Sequence, residues 1–252
     1  MYPVLFHIFG IPVEAFWATV FLGFAASLVV VRSELIRLGR DHGAAYDLIL
    51  WAYIGGFIGA RLLLVVTAWD DFQRDPWEFL FSGSGWVWQG GLLGGAVAVT
   101  WQARRHGLPM GEVVDFSGMA LAIGQAIGRI GCQLSGDGDY GVPTTMPWGM
   151  SYPNGVVPTT DFVHPTPIYE MIGCLALFLW LWRRRAEPHV PGSLFGQYLI
   201  GTGVLRFAVE FVRRNPAVAL GLTIAQWVSL TFVVIGVVLV RRRAPLSIAE
   251  AT

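Results

Sequence analysis

The sequence predicts an all-α integral membrane protein with about seven transmembrane helices, and its composition is the first observation behind this prediction. Hydrophobic residues make up 54% of the 252 residues and charged residues only 13%, whereas a soluble domain carries roughly 25% charged residues. The mean hydropathy is +0.56. So few charges indicate that much of the surface faces lipid. We expect residues 1–252 to form a single transmembrane domain.

Seven apolar segments are the second observation, because a spanning helix needs about 20 mostly apolar residues. These segments are residues 13–31, 46–69, 86–103, 112–134, 167–182, 193–212 and 222–240. No basic residue precedes the first of them, which is unlike a cleavable signal peptide. We therefore expect the first span to remain in the mature protein.

The distribution of arginines between the spans is the third observation. Alternate connections place eleven arginines on one side of the membrane: Arg32, Arg37, Arg40, Arg104, Arg105, Arg183, Arg184, Arg185, Arg241, Arg242 and Arg243. The other side carries Arg74, Arg213 and Arg214. This positive-inside bias predicts a periplasmic N-terminus, a cytoplasmic C-terminus and an odd number of spans. Residues 135–166 are then expected to form a periplasmic loop or cap with a few short strands or turns.

Three arginines fall inside the predicted spans, namely Arg61, Arg129 and Arg206. An arginine at a helix centre costs about 2.5–3.5 kcal/mol on insertion scales, so each should face the protein interior and meet an acid, a carbonyl or an anionic ligand. All 17 basic residues are arginine, the side chain that binds phosphate and carboxylate bidentately. GC-rich coding would produce the same bias.

A glycine-rich segment around Arg129 is the strongest candidate for chemistry. Gly124 and Gly128 lie four residues apart, which allows another helix to approach closely. The glycines beyond residue 135 should end the span and lead into a turn that carries Asp137 and Asp139. Arg129 then lies about two helical turns before Asp137. The alternative is a solvated acidic turn with Arg129 snorkelling to the surface.

Two further segments combine acidic and basic side chains. In the sixth span Arg206 and Glu210 share one helical face and are close enough to pair, and Arg213 extends that face. This pair could equally serve only to lock the helix bundle. At the start of the fifth span, the HPTPIYE motif places His164 and Glu170 at a proline-marked helix start, where an acid suits the helix dipole. A histidine at such a boundary is more often structural.

Glycine runs in spans two and three, GGFIGAR ending at Arg61 and QGGLLGG beginning at Gln89, are typical of tightly packed helix faces. No motif for a nucleotide, a metal ion or a serine hydrolase occurs, so we expect no cofactor and no metal. The basic residues cluster at span ends, which suits lipid headgroups and not nucleic acid. Cys132 and Cys174 lie in apolar segments and predict no disulfide framework.

Taken in this order, the segments resemble the prolipoprotein diacylglyceryl transferase family of bacterial inner-membrane enzymes. The resemblance covers nearly the whole chain and rests on the motifs GARL (59–62), GGL (90–92), GRIG (128–131), GDGDYG (136–141), HPTPIYE (164–170) and RFAVEFVR (206–213). It implies transfer of a diacylglyceryl group from phosphatidylglycerol to the lipobox cysteine of a preprolipoprotein, forming a thioether and releasing glycerol phosphate. The implied partners are phosphatidylglycerol, the signal peptides of preprolipoproteins and membrane lipids.

From the motifs and the resemblance together we expect a defined set of site residues. The expected catalytic residues are Arg129, Arg206, Asp137, Gln89 and His164, and the expected substrate-binding residues are Arg61, Glu210, Gly141, Tyr169 and Arg213. Arg129 and Arg206 would neutralise a departing phosphate in a low-dielectric site, while Glu210 would hold Arg206 in place.

The sequence departs from the family pattern at three places. Gln89 stands where the family usually has a histidine, its favoured general base. Cys132 replaces an asparagine that often follows GRIG, and Phe16-Trp17 stands in place of a Tyr-Gly pair. Because glutamine accepts no proton at useful pH, we hypothesise that arginine electrostatics, with Asp137 or His164 as proton acceptor, replace the histidine.

Two other functions are compatible with these residues. One is a non-catalytic lipid-binding or lipid-transport relative that keeps the phosphate site without a base. The other is an anion-coupled transporter, since intramembrane Arg and Glu also mark transport pathways. Transporters often carry internal repeats, and the sequence shows none.

Overall fold

Most of the chain is helical in a computed structural model, which describes residues 1–77 and 87–241. The helices within these ranges are α1 (Ala15–Arg37), α2 (Ala44–Thr67), α3 (Trp69–Arg74), α4 (Trp88–Arg105), α5 (Met110–Ser135), α6 (Thr166–Arg184), α7 (Ser193–Glu210) and α8 (Ile224–Arg241). The strands are β1 (Val4–Ile8), β2 (Ile11–Glu14), β3 (Met150–Tyr152) and β4 (Thr159–Val163). Three residues used in the predictions above, Trp86, Arg242 and Arg243, lie outside the described ranges.

Each of the seven predicted spans coincides with one of the longer helices. By length and apolar composition, α1, α2, α5 and α8 can cross a membrane; α4, α6 and α7 have 18 or 19 residues. The largest boundary difference is at the end of α1, which continues to Arg37. Glu34 and Leu35 are buried there, and Glu34 pairs with Arg37 at 2.7 Å, so contacts within the protein extend the helix beyond its apolar part.

Two short antiparallel hairpins correct the expectation of an all-α fold. β1 pairs with β2 through a two-residue turn, in which Phe9 and Gly10 have φ values of 50° and 82°. Such positive φ values are typical of two-residue hairpin turns. All five residues of β1 are exposed, so the segment shows no alternation of buried and exposed side chains that would have indicated a strand. The second hairpin, β3 with β4, lies within residues 135–166.

Dense contacts divide the chain into two units. The first unit contains Met1–Val30 with Val114–Thr252, and the second contains Val31–Val113. In the second unit α2 and α4 pack through glycines, because a Cβ on Gly55 would lie 2.6 Å from the Gly94 carbonyl oxygen and a Cβ on Gly59 would lie 2.9 Å from the Gly94 Cα. These contacts confirm the interpretation of both glycine runs as packed helix faces.

In the first unit, close helix contacts fix the elements that carry the candidate site. A Cβ on Gly23 of α1 would lie 3.3 Å from the Gly124 carbonyl oxygen of α5, whereas a Cβ on Gly128 would meet nothing within 4 Å. Only the first of these α5 glycines therefore serves helix packing. Helices α7 and α8 also approach closely, since a Cβ on Gly203 would lie 2.8 Å from the Ser229 carbonyl oxygen.

Candidate active site at the ends of α5, α6 and α7

Six charged side chains of the first unit form a closed cycle of alternating charge, which we call the charge ring. Its members are Arg129 near the end of α5, Asp139 in the following turn, Glu170 early in α6, Arg206 and Glu210 near the end of α7, and Arg213 just beyond α7. Neighbouring charges around the ring lie within 4.0 Å of each other. The ring therefore joins three helix ends and one turn.

Glu170 is the acid that connects most of the arginines. Its side chain is 5% exposed, Oε2 pairs with Arg129 Nε, and Oε1 accepts a hydrogen bond from Arg206 Nη1 at 2.6 Å. Arg213 Nη1 lies 3.6 Å from the same Oε1. Burial among three guanidinium groups makes Glu170 the internal counter-ion of the site. The sequence analysis had related it only to the helix dipole.

Glu210 fixes the other side of Arg206. Its carboxylate is fully buried, and Oε2 lies 2.9 Å from Arg206 Nη2, which confirms the pair predicted from the four-residue spacing. The other oxygen, Oε1, accepts hydrogen bonds from Thr223 Oγ1 at 2.8 Å and Asn215 Nδ2 at 2.7 Å. Glu210 thus ties the end of α7 to the segment that leads into α8, a contact that the alternative of a pair locking the helix bundle also predicts.

Asp139 completes the ring from the turn after α5. One carboxylate oxygen accepts from Arg129 Nη1 and the other from Arg213 Nη2. Burial alone would raise the pKa of Asp139, but the guanidinium groups of Arg129 and Arg213 outweigh it and hold that pKa below its ordinary value. Arg129 is therefore ion-paired on both sides, unlike an arginine snorkelling past a solvated turn.

Asp137, which the sequence analysis favoured over Asp139, has a different role in the turn. Its Oδ1 accepts a hydrogen bond from the backbone N–H of Asp139 at 3.2 Å. Burial, and then the negative charge of Asp139, raise the pKa of Asp137 above its ordinary value. Two neighbouring carboxyls with pKa values shifted in opposite directions suit different tasks. Asp139 pairs with Arg129 and Arg213, and Asp137 is the carboxyl of the turn whose pKa is raised.

His164 and Tyr169 line an open groove beside the ring. The groove has a volume of about 380 Å³, and its other lining residues are Trp148, Ala208, Val209 and Val212. Trp148 Nε1 donates to the Tyr169 hydroxyl at 2.7 Å, and that hydroxyl lies 3.1 Å from His164 Nδ1. An indole N–H can only donate, so the Tyr169 oxygen is an acceptor for Trp148 and links it to His164.

Gly141 allows its own segment to pack closely against residues 164–166 and against Val212, which precedes Arg213. Its N–H donates to the His164 carbonyl at 2.8 Å, and the next N–H, from Val142, donates to the Val212 carbonyl at 2.8 Å. A Cβ on Gly141 would overlap the Val212 carbonyl oxygen and lie 3.0 Å from the side chains of His164 and Thr166. Close packing, with no need for an unusual backbone angle, explains a glycine at this position.

Gly141→Ala is therefore expected to lower the activity of the site by about 10²-fold, because displacing Val212 also moves the adjacent Arg213, and a shift of about 1 Å at a site can cost that much. Overpacking should also lower the free energy of unfolding by about 1–3 kcal/mol. Activity and thermal unfolding in detergent measure both effects. Gly56→Ala is the matched control, since a Cβ there would make an ordinary 3.5 Å contact. Equal activity of the two variants would contradict the prediction.

Arg61 and Gln89 belong to the second unit. Arg61 is buried in α2, and Gln89 lies with an exposed side chain in the first turn of α4. Their participation in the site remains a prediction. The residues that sequence reasoning missed are Asp139 and Glu170. Asp139 follows the fourth predicted span closely, and Glu170 lies near the start of the fifth. This closeness to a span boundary is the one signal in the sequence that pointed towards them.

Comparison with known proteins tests the resemblance drawn from the motifs. The family model for prolipoprotein diacylglyceryl transferase matches residues 3–242. The chain belongs to this family. The matched range includes every member of the charge ring.

Three relatives show how far the similarity to other prolipoprotein diacylglyceryl transferases extends. Proteins named phosphatidylglycerol–prolipoprotein diacylglyceryl transferase from Clostridium tetani and Idiomarina loihiensis are each 32% identical to this chain; the alignments cover 94% and 95% of the chain and 96% and 92% of the relatives. A protein of the same name from Mycolicibacterium paratuberculosis is also 32% identical over 96% of the chain, which corresponds to 61% of that longer relative.

Proposed function

We propose that this protein transfers a diacylglyceryl group from phosphatidylglycerol to the lipobox cysteine thiol of preprolipoproteins and releases glycerol phosphate. Family membership and the names of the relatives support this activity. The geometry that supports it best is the pair of partly exposed guanidinium groups of Arg129 and Arg206. Both form ion pairs with the buried Glu170. Ion pairs with Glu170 hold both guanidinium groups in a set orientation, in which they can donate to a phosphate group.

The reaction forms one bond and breaks one. The thiolate sulfur attacks the glyceryl carbon, the bond from that carbon to the phosphate oxygen breaks, and the phosphate leaves with the electron pair. Arg129 and Arg206 stabilise the charge that develops on the departing phosphate. The thiol, whose ordinary pKa is about 8.5, gives its proton to Asp137 in place of the family's histidine, which is Gln89 in this chain.

The membrane arrangement that fits this function has seven spans, formed by α1, α2 and α4 through α8. The N-terminus and residues 135–166 would face the periplasm and the C-terminus the cytoplasm, as the arginine distribution favours. Localisation in the bacterial inner membrane, where phosphatidylglycerol and the signal peptides of preprolipoproteins meet, follows from the proposed activity.

A reconstituted transfer assay tests the proposal. The purified protein in vesicles containing phosphatidylglycerol should increase the mass of a lipobox peptide by one diacylglyceryl group, and a peptide with serine in place of the cysteine should show no change. Binding of the lipid without any mass increase would instead support a non-catalytic lipid-binding relative. Uptake of a labelled anion into the vesicles, again without mass increase, would support a transporter.

Asp137→Asn is expected to lower the rate of transfer by about 10²–10⁴-fold, the usual contribution of a general base. The carboxyl must be ionised to accept a proton, so wild-type activity should rise as the pH rises through the raised pKa of Asp137. Asp137→Asn should lose this dependence of activity on pH. His164→Ala and Gln89→His test the alternatives. A tenfold gain in Gln89→His, with Asp137→Asn and His164→Ala at wild-type rates, would rule out Asp137 as the base.

A further inference from the structure

The charge ring is electrically balanced, with three guanidinium groups facing three carboxylates. An anionic phosphate that approaches the intact ring meets as much negative charge as positive charge. Binding becomes favourable only when one carboxylate leaves the arginines. One of the three acids must therefore be able to move away from its guanidinium partners.

The three acids differ in burial and in the contacts that hold them. Glu170 and Glu210 are 5% and 0% exposed and lie on helices, and Glu210 has two further hydrogen-bond donors in Thr223 and Asn215. The Asp139 side chain is 32% exposed. Among the described residues, the ion pairs of its carboxylate are those with Arg129 and Arg213, and the neighbouring carboxyl of Asp137 lies within 4.8 Å. Asp139 is the acid that can be displaced.

The backbone of Asp139 is fixed independently of its side chain. Its N–H is held by the Asp137 carboxylate, and its carbonyl accepts from Thr166 Oγ1. The preceding Gly138 has a φ of 92°, which keeps the turn tight. A change of side-chain rotamer can therefore move the carboxylate away from the arginines while the turn stays in place.

The position of the Asp139 carboxylate also resembles that of a bound phosphate. It gives one oxygen to each of two guanidinium groups, as two non-ester oxygens of a phosphate would. Arg213 can use a further acceptor: its side chain is 10% exposed, and its buried Nη1 makes no hydrogen bond within residues 1–77 and 87–241, where it lies 3.6 Å from Glu170 Oε1. Buried donors normally have partners, and a phosphate has additional lone pairs to offer.

We propose that Asp139 is a resident counter-ion that occupies the part of the phosphate position next to Arg129 and Arg213 and is displaced when phosphatidylglycerol binds, so that the phosphate contacts these two arginines as well as Arg206. This inference rests on the proposed function, which supplies a phosphate-bearing lipid as ligand. A ligand has to replace both contacts of the Asp139 carboxylate, so we expect lipids without a phosphate not to bind at this position. Asp139 is thus a specificity-determining residue: it lowers the affinity of the site for every ligand and lowers it least for one that bridges Arg129 and Arg213.

The test measures lipid binding apart from transfer. Asp139→Asn keeps the size of the side chain and removes its charge. We expect the Kd for short-chain phosphatidylglycerol, measured on the full chain in neutral-lipid nanodiscs, to fall about tenfold, which corresponds to about 1.4 kcal/mol. The KM for the lipid should fall in parallel, without an increase in kcat. Glycerol phosphate should compete about tenfold better, which shows whether the headgroup alone is recognised.

Asp161→Asn is the matched control, because Asp161 is an exposed acid on β4 and has no contact with the arginines of the ring. It should leave the Kd and the KM unchanged. Weaker or unchanged lipid binding in Asp139→Asn would overturn the inference, since an acid that only positions the arginines helps binding.

A second variant covers the case in which Asp139→Asn does not fold. In Asp139→Ser the vacated position should accept a free carboxylate, so acetate should compete with phosphatidylglycerol in this variant and not in the wild type. Equal effects of acetate on both proteins would count against a carboxylate at the phosphate position. Failure of the proposed function is distinguishable: no peptide would be modified by any variant, although Asp139→Asn would still bind the lipid more tightly.

Discussion

Replacement of Arg129 by alanine is expected to reduce diacylglyceryl transfer by at least about 10²–10³-fold, the effect of removing one fixed donor to a developing anion. Arg129 pairs with both Asp139 and Glu170. The variant therefore loses a hydrogen-bond donor to the phosphate and leaves the buried charge of Glu170 with one guanidinium partner fewer. Arg206→Ala should have an effect of the same size, because Arg206 is held by Glu170 and Glu210. Mass spectrometry of a lipobox peptide measures both.

Arg74→Ala provides the control for these two variants. Arg74 forms an exposed pair with Asp71 at 3.0 Å in α3, and pairs of this kind contribute about 0–1 kcal/mol. Its activity should match the wild type, and all three variants should be recovered from the membrane fraction. Near-normal transfer by both Arg129→Ala and Arg206→Ala would refute a phosphate site built on these arginines.

Glu170→Gln is expected to reduce transfer by a similar factor and also to destabilise the protein. The substitution removes the carboxylate that two guanidinium groups share inside the site, and breaking a buried ion pair typically costs about 3–5 kcal/mol. A lower midpoint of thermal unfolding in detergent should therefore accompany the lower activity. Glu170 acts by positioning Arg129 and Arg206, so saturating phosphatidylglycerol should restore only part of the rate.

Glu187→Gln is the matched comparison, because Glu187 forms an exposed pair with Arg184 at 2.9 Å. It should change neither unfolding nor transfer. If Glu170→Gln unfolded at the wild-type temperature and kept full activity, the structural account of the ring would be wrong.

The sequence predicted the helices of this fold well because apolar length is a local property. It also predicted the pair between Arg206 and Glu210, since a four-residue spacing on a helix determines the distance. The contacts of Glu170 with Arg129 and Arg206 were not predictable in this way. They join residues 41 and 36 positions apart in the chain, and they form only when three helix ends meet.

The choice between Asp137 and Asp139 also depends on contacts with residues distant in the chain, although the two acids are only two residues apart. Both acids lie in a glycine-rich turn, and the resemblance favoured Asp137 because it stands where the family commonly has a glutamate. The orientation of the turn is decided by contacts from elsewhere, including Thr166 at the start of α6 and Val157, whose carbonyl accepts from Tyr140 Oη at 2.9 Å. These contacts direct Asp139 to the arginines.

The pairing of Arg129 with Asp139 also bears on how the chain enters the membrane. Helices emerge from the ribosome in order, N-terminal first, so Arg129 arrives well before Glu170 and Arg206 have been synthesised. Asp139 is only ten residues behind it. A carboxylate is thus close enough to neutralise the guanidinium of Arg129 before Glu170, its second partner, arrives with α6.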